Sequence, residues 1–391
     1  ARGGMTPDAR LGLLRIGPNL RSNSYGSFGA EEDRPSKLND MGVDPNNLEL
    51  CESNTLMVVR PMIHTPTSTR VFSRVEAGSL RGSIFTLSSS AIGAGLLSLP
   101  VVMRQSGLLF GMLLCVTGAW LAHLSLNLLL DTAEVIFRER GMTTGRSITY
   151  SQLVAEVLGE RCGTVLELVL LLYSFGTIVG YLLVIDKCME AVCIAFGIPL
   201  PFESMTTYVA AILTTPLCLF RDISSLAFYN LLGIFAMVIV CMVITYRGLE
   251  YGSLKDVPNP IMRYDGIGQL CSCATLVFFA YNCHVNVFAI YSSLRYPLIS
   301  RMKKVTLRSV VLQVVLYTAV AVSGYILFED NTSGNVLDDF PPSDTVITIC
   351  KGAVALTLIA NTPLCVHPAR ESFWLLAEKC CSSFSSSKTE A

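Results

Sequence analysis

Two clusters of residue types that membrane interiors rarely hold stand out along the chain. One is Ser88-Ser89-Ser90 running into Ala91-Ile92-Gly93-Ala94-Gly95, with Pro100 beyond it; the other is Phe279-Ala280-Tyr281-Asn282-Cys283-His284-Val285-Asn286. Each lies inside an apolar run long enough to cross a bilayer. Glycine loosens a helical hydrogen-bond ladder, and unpaired backbone groups persist at membrane depth only where protein buries them or a polar cavity meets them. An unwound stretch in the first cluster frees amides at the start of its second half, where the positive dipole end suits a carboxylate. Carbonyls at the end of its first half suit a cation or an ammonium. Gly-x-Gly also permits close helix packing, so the first cluster taken alone leaves both readings open.

The second cluster adds amides, a phenol and an imidazole at mid-depth, where polar groups face a cavity or one another. His284 has three open roles there: substrate contact, proton carrier, or hydrogen-bond partner across helices. His123 reads as a packing residue, and His367 stands at the end of its span, where an imidazole costs little. Thr357, Asn361 and Thr362 form a polar stripe ahead of Pro363 that can ligate an ion against the first half of the first span. Asp186 reads as snorkelling to the interface. Interrupted helices at matching places in two halves of a chain are the sequence mark of a secondary-transport site.

These residues need a membrane around them. The chain has 391 residues, 51% hydrophobic and only 15% charged, with a mean hydropathy of +0.52. That is more apolar surface than one soluble core hides. Apolar runs of about 20 residues place spans at 83–103, 108–130, 164–190, 204–220, 225–246, 266–292, 306–328 and 344–368. The fourth is the shortest and contains Pro216. Residues 1–80 have no sustained apolar period and are expected to be a disordered cytosolic tail, 81–376 to be the membrane domain, and 377–391 a Ser-rich tail. The chain starts at Ala1 and not Met, so a preceding segment is expected.

Charge distribution orients the spans. With the N-terminus inside, cytosolic connections carry Arg138, Arg140, Arg146, Arg161, Arg221, Arg295, Arg301, Lys303, Lys304 and Arg308, against Arg104, Lys187, Arg247, Lys255 and Arg263 outside. The last outer loop holds Glu329, Asp330, Asp338, Asp339 and Asp344 with no basic residue. This fits the positive-inside rule. Asn331-Thr332-Ser333 in that loop is a glycosylation sequon. Most cysteines lie in apolar spans as packing residues; Cys188, Cys193 and Cys350 near the outer face are placed for one disulfide, and Cys380-Cys381 for palmitoylation. No metal-ligand spacing, nucleic-acid signal, His-Glu-x-x-His, Gly-x-Ser-x-Gly or filter-like ring is present, which argues against a metalloprotein, an enzyme and a channel.

Phe85 through Pro100 resembles the first-helix signature of the amino acid/auxin permease family, which includes the sodium-coupled neutral amino acid transporters. Phe279-Ala280-Tyr281-Asn282-Cys283-His284 through Ile290-Tyr291 is similar to its sixth-helix signature, and Pro363 through Pro368-Ala369-Arg370 to the close of its eighth helix. The resemblance covers about residues 82–376. It implies an all-α, inverted-repeat membrane fold of eleven helices with helices 1 and 6 broken. It further implies an amino acid substrate moved by alternating access and coupled to Na⁺ or H⁺, with no resident cofactor. Substrate contacts are expected at Ser90, Gly93, Ala94, Gly95, Phe279, Ala280, Tyr281 and Asn282. Ion coupling is assigned to Ser89, Ala91, Thr357, Asn361, Thr362 and His284.

Two departures from the family pattern bear on function. Sodium-coupled members carry Asn four residues before the first Gly of the break, where this chain has Ser89; this argues against Na⁺ and leaves H⁺ open. Only eight of the eleven helices are legible before Ala391, which is expected of a truncated fragment or of a protein completed by a partner subunit. The same features also fit a non-transporting amino acid sensor signalling through its N-terminal tail. The resident membrane is expected to be plasma or vacuolar/lysosomal.

Overall fold

In hydrocarbon every backbone amide must find its partner within the protein, so apolar runs of this length become helices. The computed structural model describes residues 48–49, 52–53, 56–57, 60–61, 78–140, 148–199, 205–219, 227–252 and 261–389. The chain divides into one unit over residues 1–73 and another over 74–391. In the first, Leu48–Glu49 pairs antiparallel with Arg60–Pro61, and Glu52–Ser53 with Leu56–Met57. The rest of the tail expected to be disordered lies outside the described residues.

The second unit is helical. Helix α1 (Leu80–Ala91) starts at Ser79, whose Oγ accepts from the Gly82 amide at 3.1 Å. It stops at Ile92, whose backbone is extended, and α2 (Ala94–Ser106) continues the span at a 54° bend. Then come α3 (Leu108–Glu139), α4 (Tyr150–Leu158), α5 (Glu160–Ala195), α6 (Met205–Cys218) and α7 (Ala227–Tyr251). Thr149 and Gln152 close a capping box over α4, fixing a short helix between the two long ones. The second break separates α8 (Ile267–Ala280) from α9 (Val287–Ser293), with a 3₁₀ turn at His284–Asn286 between them. The described chain ends with α10 (Ile299–Phe328) and α11 (Thr345–Thr389).

By length and composition six helical segments can cross a membrane, or seven with the bent α1–α2 pair counted as one span. The expected span at 204–220 is represented by α6, whose 14 described residues reach about 21 Å at 1.5 Å per residue; residues 204 and 220 lie outside the described residues. Helix α11 also runs through Pro363 and Pro368 into the Ser-rich segment, where the resemblance expected a closing motif. Among the described residues, Cys188, Cys193 and Cys350 are free thiols, so the disulfide foreseen among them is not formed.

Burial separates the layers. Leu87, Ile92, Leu96, Leu99, Val102 and Met103 of the first broken span are fully buried, whereas Trp120 and Leu128 of α3 point outward at 63% and 57% exposure. The broken span is therefore the centre of the unit, and α3 turns apolar side chains outward. Small residues set the spacing: a Cβ on Gly324 of α10 would stand 2.6 Å from the Pro100 ring, and one on Gly118 of α3 2.5 Å from Val277 of α8. Ion pairs fall into two groups. Arg247 pairs with Asp344 at 2.9 Å and Arg263 with Asp265 and Asp330 at 2.8 Å each, while Lys303 pairs with Asp131 and Lys379 with Glu160. Arg247 thus joins Asp344 of the 329–344 loop, and Arg263 joins Asp330 of that loop and Asp265 of its own segment. Asp186 does not snorkel alone, since the Thr206 hydroxyl of α6 donates to its carboxylate.

Candidate functional site

Both breaks open onto one cavity between the broken spans and the pair α5/α11. Ser90, Ala91 and Gly95 line it from the first span and Phe279, Asn282, Val285 and Asn286 from the second. Tyr173, Ser174, Thr177 and Tyr181 face them from α5, and Leu364, Cys365 and Pro368 from α11. The space open to water-sized centres is about 20 Å³, room for about one water. A molecule the size of an amino acid would fit only if the walls parted.

Glycine is required at the first break by what approaches it. A Cβ on Gly93 would lie 2.7 Å from the Tyr181 hydroxyl, and one on Gly95 3.1 Å from the Ala280 Cα. The first turn of α2, at Ala94 and Gly95, has amides without intrahelical acceptors by the geometry of any helix start. That end of the dipole favours an anion by about 0.3–1 kcal/mol, and more when partly buried.

The carbonyls at the first break are held by side chains. Asn361 of α11 donates through Nδ2 to the Ser89 carbonyl at 2.9 Å and to the Ile92 carbonyl at 3.2 Å, and its Oδ1 accepts from the Ser89 hydroxyl. Ser89 and Asn361 are essentially unexposed. From α10 the Tyr317 hydroxyl reaches the Ala91 carbonyl and the Ala280 carbonyl, each at 2.8 Å. These are the last residues of α1 and α8. Leu364 and Pro368 also line the cavity, and a proline cannot donate to the carbonyl four residues back.

The second break is furnished differently. His284 Nδ1 lies 3.2 Å from Asn282 Oδ1, and its Nε2 lies 2.7 Å from the Ser125 hydroxyl of α3. Phe279 faces Tyr173 across the cavity with ring centroids 6.5 Å apart.

Of the residues assigned to substrate, Ser90, Gly95, Phe279 and Asn282 line the cavity. Gly93 and Ala94 are not among its lining residues. Ala280 backs Gly95, and the Tyr281 ring is turned onto Tyr317 with centroids 4.9 Å apart. Of those assigned to an ion, Ser89 and Asn361 meet. Ala91 lines the cavity and gives its carbonyl to Tyr317. Thr357 turns to the Gly233 and Ala353 carbonyls, Thr362 bonds back to Leu358, and His284 stands with Ser125, so the stripe divides. Sequence reasoning missed Tyr173, Thr177, Tyr181 and Tyr317. The one available signal was a lone tyrosine deep in an apolar span, whose hydroxyl needs a partner there.

Comparison with known proteins places this architecture. The chain is 23% identical over 348 residues to vacuolar amino acid transporter 2 of Saccharomyces cerevisiae, covering 84% of this chain and 68% of that protein. It is 24% identical over 308 residues to sodium-coupled neutral amino acid transporter 7 of Xenopus laevis, covering 75% and 66%. A Toxoplasma gondii relative named for amino acid transport is 26% identical over 317 residues, covering 80% of this chain and 42% of its own length. The chain thus spans between 42% and 68% of the length of these relatives. The family model described as transmembrane amino acid transporter protein matches residues 76–389, most of the chain, and the chain belongs to that family.

Proposed function

We propose that this multi-pass membrane protein carries neutral amino acids by alternating access and is driven by protons. The observation that supports the reading is the convergence of both helix breaks on one cavity. The backbone at Ala91 and Gly95 in its wall, with Ala280 packed behind Gly95, can take the two ends of a zwitterion: amides at the start of α2 for the carboxylate, carbonyls at the ends of α1 and α8 for the ammonium. Among the lining residues there is no Asp, Glu, Lys or Arg. An uncharged substrate side chain fits, because a charged one would be desolvated without a partner. Phe279, Tyr173 and Asn282 then select its shape.

Rocking of the broken spans with α10 against α5 and α11 opens the contracted cavity to each side in turn. Coupling to protons is preferred over Na⁺ because the backbone oxygens an ion would use at the first break already have donors. Asn361 serves Ser89 and Ile92. His284 is the proton-carrying group in this reading. The reading takes the N-terminus as cytosolic, supported by the charge distribution, and a vacuolar membrane ahead of the plasma membrane, supported by the likeness to a relative named as vacuolar.

The test is uptake of labelled neutral amino acids by proteoliposomes containing this chain, with H⁺ and Na⁺ gradients imposed separately. Accumulation under the H⁺ gradient alone is expected. Binding without uptake or counter-flow exchange would make the protein a sensor, and accumulation only with Na⁺ would overturn the coupling.

A further inference from the structure

We infer that Tyr317 is a positioning residue for the substrate's ammonium, acting through the carbonyls of Ala91 and Ala280. The inference rests on the reading above, that an amino acid binds between the breaks. Helix α10 is unbroken from Ile299 to Phe328 and lies along the whole first broken span. Ser309 donates to the Ile84 carbonyl of α1 at 3.1 Å, and Gly324 lies beneath Pro100 of α2. Between them, on the same face at helical spacing, the fully buried Tyr317 reaches both breaks. It is the one described side chain seen to hydrogen-bond the terminal carbonyls of both first half-helices.

A phenol carries one proton, and here it stands 2.8 Å from two acceptors. It cannot donate fully to both. The pair of carbonyls is therefore fixed in space by one hydroxyl yet left short of donors, each with lone-pair capacity to spare. An ammonium brings three donors. Ala91 also lines the cavity, so its carbonyl connects the hydroxyl behind the breaks to the substrate in front. Tyr317 itself is absent from the cavity wall, which makes it a positioning residue and not a substrate contact. The C-terminal dipole ends of α1 and α8 meet at this point and add to the preference for a cation.

The expected consequence is selective. Tyr317→Phe removes the donor and keeps the ring that packs on Tyr281. It should weaken binding of an amino acid about tenfold, the scale of one buried hydrogen bond, while weakening the deaminated carboxylic acid of the same side chain far less. Ser309→Ala removes another tie of α10 to α1, distant from the breaks, and should leave the ratio of the two affinities unchanged. The experiment measures both affinities by competition against a labelled neutral amino acid for the wild type and both variants in detergent. A wild type that binds no amino acid would defeat the functional reading itself. A wild type that binds, with Tyr317→Phe losing affinity equally for both ligands or for neither, would overturn the role of Tyr317 alone. If Tyr317→Phe is not recovered, 3,5-difluorotyrosine at that position alters the hydroxyl's donor strength and keeps the ring. An affinity ratio that shifts supports the role, and an unchanged ratio overturns it.

Discussion

The two breaks do the same thing to a helix by different means. At the first, small residues expose the backbone and the rest of the protein clamps it: Asn361 holds the Ser89 and Ile92 carbonyls, and Tyr317 that of Ala91. At the second, the backbone shares only the Tyr317 tie among these, and the break is populated by side chains, Asn282 and His284, bonded to each other and to the exposed Ser125. The difference teaches a division of labour. In the proposed function the first break is a frame for what all amino acids share. The second, held through side chains, is in that proposal the adjustable one, free to differ in rotamer and protonation without disturbing the frame.

Substitutions at the first break should therefore be severe and indifferent to substrate. Gly93→Val is expected to have the largest effect, because its Cβ alone would lie 2.7 Å from the Tyr181 hydroxyl. Uptake should fall to background for every amino acid while membrane insertion is retained; normal uptake would remove this residue from the frame. Asn361→Leu comes next, since it keeps the bulk and leaves a hydroxyl and two carbonyls without their donor or acceptor. A loss of about 3 kcal/mol is expected, read as a lower thermal midpoint in detergent, and an unchanged midpoint would mean the frame is held by other contacts.

At the second break the effects should be smaller and conditional. His284→Ala should flatten the dependence of uptake on pH across about pH 5–8, the range in which an imidazole changes charge, with transport retained. An unaltered pH profile would return His284 to a packing role. The smallest effect is expected of Ser89→Ala, about 1 kcal/mol in the same thermal assay, because the Asn361 bonds to the backbone survive. A loss as large as that of Asn361→Leu would show that the hydroxyl, not the amide, organises the first break.

The broken spans were legible because Gly93-Ala94-Gly95 and Asn282-Cys283-His284 violate the composition of a membrane helix. The clamp was not. Tyr317 sits in Leu316-Tyr317-Thr318-Ala319-Val320, an ordinary apolar run, and its partners belong to helices far off in sequence. A contact between distant segments leaves no local periodicity to read. The polar stripe was visible and was placed against the first half of the first span, where Asn361 meets α1, yet its helical spacing could not reveal that Thr357 turns to α7. The described part of α6 stops at Cys218, two residues past Pro216, and the ends expected for that span lie outside the described residues.

The central claim, a fixed first break and an adaptable second around one amino acid, is tested most directly by an experimental structure of this chain bound to a neutral amino acid. The account predicts the carboxylate on the amides of Ala94 and Gly95 and the ammonium on the carbonyls of Ala91 and Ala280, with Asn361 still bonded to Ser89 and Ile92. An amino acid bound elsewhere, or a cation between the Ser89 and Ile92 carbonyls with Asn361 displaced, would contradict it.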